Sequence, residues 1–322
     1  MDCTLEQIAE RIQRSKEVLI VAHMRPDGDA IGGALALSYA LDFLKTPNQV
    51  CVESDIPSNL AFVDGVEKIK KMPKDGYDLI VAVDSSDDQR LGALSDLFLQ
   101  ARRKKIDTVN VDHHVSNTHF AKYNYVRICS ANCMNVAALI KAMGVPIDKK
   151  TAEYLLLGVL TDSGNFSHDD VTEETLRLTA ELVKAGADIS GYNYLLFKRQ
   201  PKARALLHAK TMSGMRFYHD DRFAVITVTK ANMLACGADE GMTEGFVDFP
   251  LTVDSVEVSA SVMEVRKGQY KISLRSKRYA DVNKIAGTYG GGGHVRAAGC
   301  MLFGDIEDVL DRLSYTVSQY LE

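Results

Sequence analysis

EVLIVAHMRPDGDAIGG (17–33) opens on the apolar run EVLIVA (17–22), breaks at His23, Asp27 and Asp29, and resumes as the apolar stretch GGALALSYALDFL (32–44). A short β-branched run, polar punctuation and a helix-length apolar segment read as strand, loop and helix. The pattern recurs. QVCVES (49–54), DLIVAVD (78–84) and DTVNVD (107–112) read as further strands, and NVAALIKAM (135–143) and TAEYLLLGVLTDSG (151–164) as helices. This alternation implies βαβ units around a parallel sheet, so the expected class is α/β with a Rossmann-like N-terminal domain. From about Gly186 the character changes. A polar helical stretch, YNYLLFKRQPKARALLHAKTMSGM (192–215), leads to the strands RFAVITVT (222–229), SVEVSASVMEV (255–265) and YKISLRS (270–276). Two helical segments, DVNKIAGTY (281–289) and IEDVLDRLSYTVSQYL (306–321), complete a smaller, mixed α+β domain. The expected organisation is therefore 1–186, a helical linker at 187–215, and 216–322.

The composition fits a soluble two-domain chain: 322 residues, 46% hydrophobic and 25% charged. The N-terminus mixes charges with apolar residues and lacks a signal-peptide core, and no stretch approaches the ~18 apolar residues of a spanning helix. No membrane association and a cytoplasmic location are expected. Six scattered cysteines read as reduced thiols, and Cys129 and Cys133 lack the further ligands of a zinc site. A net charge of −5 argues against coating long duplex nucleic acid.

The acids and histidines fall at strand ends. EVLIVA runs into His23, Asp27 and Asp29, DLIVAV ends in Asp84, and DTVNV ends in Asp112, His113 and His114. In an open parallel sheet these carboxyl ends share the edge where ligands bind. A single Asp there would ordinarily be a helix cap. Four or more carboxylates with two or three imidazoles would repel one another without cations. Oxygen-rich ligation with imidazole and no thiolate suits manganese, ahead of magnesium, cobalt or iron. Two ions ~3.5–4 Å apart are expected for phosphate-ester hydrolysis, where they activate water and steady the phosphoryl charge.

HMRPDGDAIGG (23–33), VDSSDDQRLG (83–92), VDHHVSN (111–117) and TDSGNF (161–166) resemble the four motifs of the DHH phosphoesterases, which include RecJ-like exonucleases and family II pyrophosphatases. The resemblance implies that His23, Asp27 and Asp84 hold one metal, and that Asp29, Asp84, His113 and Asp162 hold the other, with Asp84 bridging. It further implies that Asp112 orients His113 and that His114 faces the substrate phosphate. Two positions depart from the family pattern: Ser163 replaces a usual Thr, keeping the hydroxyl, and Asn135 replaces a usual Glu, which bears on local packing or substrate contacts.

TYGGGGHVRAAGC (288–300) is not a Walker loop, since the Gly-Lys-Ser/Thr ending is absent. Its glycines allow close backbone approach to an anion, and His294 and Arg296, with Arg275, Lys277 and Arg278 shortly before, suggest a small cationic pocket. SLRSKRYADVNKIAGTYGGGGHVRAAG (273–299) resembles the C-terminal domain of the nanoRNase/pAp phosphatase group, in which the equivalents of Arg275 and His294 bind substrate phosphate. Arg275, Gly292, Gly293 and His294 are the primary candidates, Lys277 and Arg278 secondary ones. The resemblance implies a manganese-dependent oligoribonuclease and 3′-phosphoadenosine 5′-phosphate (pAp) phosphatase that takes short nucleotides in an interdomain cleft and assembles as a homodimer. The alternatives are cyclic di-AMP or pApA hydrolysis, a non-catalytic nucleotide-binding regulator, and an inorganic pyrophosphatase.

Overall fold

The computed structural model describes residues 1–321, and the chain forms two compact units, Met1–Arg199 and Gln200 onward. The division falls inside the stretch read as linker. In the first unit the elements run α1 (Leu5–Arg14), β1 (Val18–Ala22), α2 (Gly28–Phe43), β2 (Asn48–Cys51), β3 (Leu79–Val83), α3 (Ser95–Lys104), β4 (Asp107–Asp112), β5 (Tyr123–Val126), α4 (Asn132–Ala142), α5 (Lys149–Asp162), α6 (Glu173–Lys184) and α7 (Ile189–Asn193). The sheet is wholly parallel in the order β2-β1-β3-β4-β5. Every residue of β1 and β3 is buried, as expected of strands covered on both faces. β5 escapes the sequence reading because YNYV is short and half polar.

α2 is apolar almost all round and lies buried against α4 and α5. Its contact with α5 is backbone-close: a Cβ on Gly32 would sit 2.3 Å from the Tyr154 carbonyl oxygen. Truncating a fully buried side chain here, such as Leu37, should cost about 2–5 kcal/mol.

The second unit comprises α8 (Lys202–Ser213), β6 (Arg216–Tyr218), β7 (Phe223–Val228), α9 (Lys230–Cys236), β8 (Val258–Arg266), β9 (Gln269–Ser276), α10 (Val282–Gly287), β10 (Gly292–His294), β11 (Ala297–Phe303) and α11 (Ile306–Ser318). Its sheet runs β10-β11-β9-β8-β7-β6, antiparallel except for β7 beside β8. Tyr270, Ile272, Leu274, Ala298, Cys300 and Leu302 alternate inward and pack with residues of α10 and α11. The glycine run ends in an edge strand rather than a simple turn. AAGCMLF forms β11, which the sequence reading missed because its first residues have little β propensity. No helix among the described residues is long and apolar enough to cross a membrane.

Candidate metal centre and phosphate site

The carboxyl ends of β1, β3 and β4 bring His23, Asp84 and the Asp112-His113-His114 run together, and the C-terminus of α5 adds Asp162. Asp27 caps α2, its Oδ1 accepting the Asp29 and Ala30 amides at 3.0 Å each, while Oδ2 faces His23 Nε2 at 3.8 Å. Cap and candidate ligand are thus one residue. Asp29 is fully buried, and its carboxylate accepts the Asn132 and Cys133 amides at the start of α4. Those amides carry the positive end of a helix, which offsets part of the cost of burying the charge. Gly158 makes this seat possible, since a Cβ there would lie 2.3 Å from Asp29 Oδ1.

Asp84 sits at the centre with a left-handed backbone (φ 56°), an uncommon conformation for a non-glycine residue. Its Oδ2 lies 3.4 Å from His23 Nε2 and its Oδ1 3.4 Å from His113 Nε2. His113 Nε2 is also 3.5 Å from Asp162 Oδ2. Two ligands held about 2.1 Å from one cation stand roughly 3.0–3.6 Å apart, so these separations suit shared coordination. Both imidazoles are set for it. His23 Nδ1 donates to the Met24 carbonyl at 2.9 Å and His113 Nδ1 to the Cys129 carbonyl at 2.8 Å, pointing each Nε2 into the cluster.

The electrostatics of the cluster are those of a site suited to cations. Burial and the charges of Asp29 and Asp84 push Asp162 up to about 10, and burial with Asp84 raises Asp29 to about 7. Burial would depress His113, but Asp84, the Cys129 carbonyl and Asp29 push it up to about 12. Burial would likewise raise Asp84, yet His113 and His23 hold it well below the usual carboxylate range. His23 Nε2 and Asp84 Oδ1 are buried without any hydrogen-bond partner. Such orphaned groups cost about 1–3 kcal/mol each unless something occupies the space between them. The donor set and these orphans fit divalent cations.

One expectation needs correction. Asp112 orients His114, not His113: its Oδ1 accepts His114 Nδ1–H at 2.8 Å, and its Oδ2 accepts the His114 amide at 3.2 Å and Asn117 Nδ2 at 2.6 Å. His113 turns the other way, towards the Cys129 carbonyl. Beyond His114, Arg90 Nη1 stands 3.0 Å from Nε2. Arginine has no acceptor, so Arg90 donates and the His114 proton sits on Nδ1. Asn135, the departure from the family Glu, is buried and donates to the Asp112 and Arg127 carbonyls while accepting from Arg127 Nε. Its role is to brace the loop beside the site. Ser163 is buried and donates to the Val159 carbonyl.

In the second unit, His294 pairs with Ala297 and Ala297 with Arg275 across three neighbouring strands. Cross-strand partners share a sheet face, so Arg275 and His294 flank an alanine about 10 Å apart, twice the strand spacing. Gly293 (φ 154°) has its amide on Asn283 Oδ1 at 2.8 Å, and a Cβ there would strike the Ala297 carbonyl at 2.4 Å. Gly292 has open space above it apart from Asn283 Oδ1 at 3.7 Å. The structure thins the expected cationic pocket. Lys277 Nζ is taken up by the Val253 carbonyl at 2.8 Å, and Arg296 by the carbonyls of Arg278 and Ala280. Arg278 extends into solvent near Glu257, at 3.8 Å.

Two family models match the chain: the N-terminal domain of the DHH family over residues 17–159, and the DHHA1 domain over residues 222–322. The bifunctional oligoribonuclease and PAP phosphatase NrnA of Thermus thermophilus is 31% identical over 311 residues, 94% of this chain and 90% of the relative. The chain belongs to the DHH family. The DHH match spans His23 to His114 and stops just short of Asp162, while the DHHA1 match includes Arg275 and His294. An exopolyphosphatase-related protein from Bacteroides fragilis superposes with a TM-score of 0.79 at 27% identity, covering 98% of this chain and 96% of that one. RecJ from Thermus thermophilus, solved with Mn2+, shares the fold at a TM-score of 0.50 and 14% identity, over 98% of this chain and 54% of its own length.

Proposed function

We propose that the chain is a cytoplasmic two-metal phosphoesterase that hydrolyses short oligoribonucleotides to nucleoside 5′-monophosphates and pAp to AMP. The observation that carries this reading is Asp84, whose two oxygens divide between the His23 group and the His113 group. In this reading His23, Asp27 and Asp84 hold one manganese ion, and Asp29, Asp84, His113 and Asp162 the other. Bound there, the pair supplies Lewis acidity towards the phosphoryl oxygens and a lowered pKa for water. The protein's own contribution is positional. The Met24 and Cys129 carbonyls fix the two imidazole tautomers, the start of α4 fixes Asp29, and Asp112 holds His114 with Nε2 towards the rim. Arg275, Gly292, Gly293 and His294 hold a second phosphate of the substrate, which favours nucleotides carrying more than one phosphate.

The full-length similarity to the NrnA relative, with a DHHA1 domain containing Arg275 and His294, supports this choice over an inorganic pyrophosphatase. A manganese-supplemented panel of pAp, pApA, cyclic di-AMP, RNA dinucleotides, longer RNA and pyrophosphate, run on wild type and Asp84→Ala, tests it. The expected result is turnover of pAp and dinucleotides that Asp84→Ala abolishes. Absence of metal-dependent turnover on every phosphoester would sink the reading.

A further inference from the structure

We infer that Arg90 is a further catalytic residue, a guanidinium that grips the scissile phosphate and exchanges His114 Nε2 for a phosphoryl oxygen when substrate arrives. The inference rests on the phosphoesterase reading above. Arg90 belongs to the loop after β3, and that loop is closely laced. Ser85 Oγ donates to the Asp87 carbonyl at 2.9 Å, and Asp87 Oδ1 accepts the Arg90 amide at 2.9 Å. The Arg90 carbonyl then accepts the amide of Met24, next to His23, at 2.7 Å. Its backbone therefore contacts the residue after His23, and its side chain contacts His114. The residue is only part-buried, so one side of it remains open.

Its bonding is unusual for an arginine beside so many carboxylates. Among the described residues the guanidinium has no carboxylate partner, and the one acceptor it has is an imidazole nitrogen. His114 cannot move to improve that contact, because Asp112 holds its Nδ1 at 2.8 Å and Asn117 in turn holds Asp112. A phosphoryl oxygen brings negative charge to the guanidinium where a neutral imidazole nitrogen brings none, so a phosphoryl oxygen entering the rim outcompetes the imidazole for Arg90. The planar fork of guanidinium N–H groups matches two phosphoryl oxygens. Charge that builds on those oxygens in the transition state then meets a cation held beside His114.

The test is a double-mutant cycle on Arg90→Ala and His114→Ala, with Arg90→Lys alongside, using pAp and an RNA dinucleotide as substrates. Manganese binding is measured by calorimetry in every variant. Arg90→Ala should lose about 100-fold in kcat with manganese affinity within about twofold of wild type, and Arg90→Lys should recover at least about tenfold. In the His114→Ala background, removing Arg90 should still cost at least about tenfold. Equal activity of His114→Ala and the double variant would reduce Arg90 to a positioning residue and overturn the claim. So would loss of manganese in both Arg90→Ala and Arg90→Lys. Calorimetric binding of inorganic phosphate to the manganese-loaded protein needs no turnover. It should weaken in Arg90→Ala even if the wild type proved inactive on all phosphoesters, and unchanged phosphate affinity there would also overturn the inference.

Discussion

His113 Nε2 lies 3.4 Å from Asp84 Oδ1 while its Nδ1 is fixed on the Cys129 carbonyl, so the imidazole is committed to the cluster from both ends. Without cations it is held protonated, pushed up to about 12, and Asp162 and Asp29 are raised to about 10 and about 7. At neutral pH a cation must therefore displace protons. Manganese affinity should rise with pH between about 6 and 9, with proton release visible as a buffer-dependent calorimetric enthalpy. Affinity that does not change over this range would contradict the assignment of these residues as ligands.

The same shifts fix the sign of metal-free stability. Asp162 retains in the fold a proton that the unfolded chain releases near pH 4, so its contribution is present below about pH 4 and lost as pH rises towards about 10. For His113 the window runs from about 6.5 to about 12, with the same sign. The chelated protein should melt at progressively lower temperature from pH 6 to 9, as its stability falls by up to about 1.4 kcal/mol per pH unit for each proton concerned. Added manganese should abolish the trend, as followed by circular dichroism.

Gly158 is the narrowest point beneath the site. A methyl group there would meet Asp29 Oδ1 at 2.3 Å and Cys133 Sγ at 2.4 Å, both buried. Gly158→Ala should cost about 1–3 kcal/mol of stability through overpacking. Because Asp29 must shift, manganese should bind at least about tenfold more weakly wherever Asp29 serves as a ligand. Metal titration against a Gly33→Ala control, where the added Cβ has ordinary clearance of 3.4 Å, separates this local effect from a general one.

How much of this was readable in advance follows from what each residue depends on. β1 and β3 announce themselves as apolar runs because both faces of a parallel sheet are covered, β4 by its β-branched Thr108, Val109 and Val111, and His23, Asp84 and His113 announce themselves because they follow those strands. Arg90 gives no such signal. Arginine is common on surfaces, and its approach to His114 depends on how the loop from Ser85 to Arg90 folds back. The partner of Asp112 was misread for a similar reason, since adjacent histidines in sequence turn in opposite directions once the strand ends. β10 and β11 were obscured by glycine and alanine, whose pairing is decided by the neighbouring strand rather than by their own propensity.

Asp248 Oδ1 stands 3.4 Å from Arg275 Nε, and Arg275 Nη1 donates to the Leu274 carbonyl at 3.0 Å. If Arg275 binds a substrate phosphate as proposed above, the Asp248 carboxylate competes with that phosphate for the same guanidinium. A half-exposed ion pair of this kind is worth about 0–1 kcal/mol, so substrate phosphate can displace it cheaply. Asp248→Asn removes the competing charge and the repulsion of a dianion together. KM for pAp should fall by about two- to fivefold, with kcat unchanged or lowered by slower product release. KM for an RNA dinucleotide lacking a terminal phosphate should stay the same. A rise in the pAp KM would mean that Asp248 serves Arg275 chiefly as its anchor. An equal fall for both substrates would mean that Arg275 does not read the terminal phosphate.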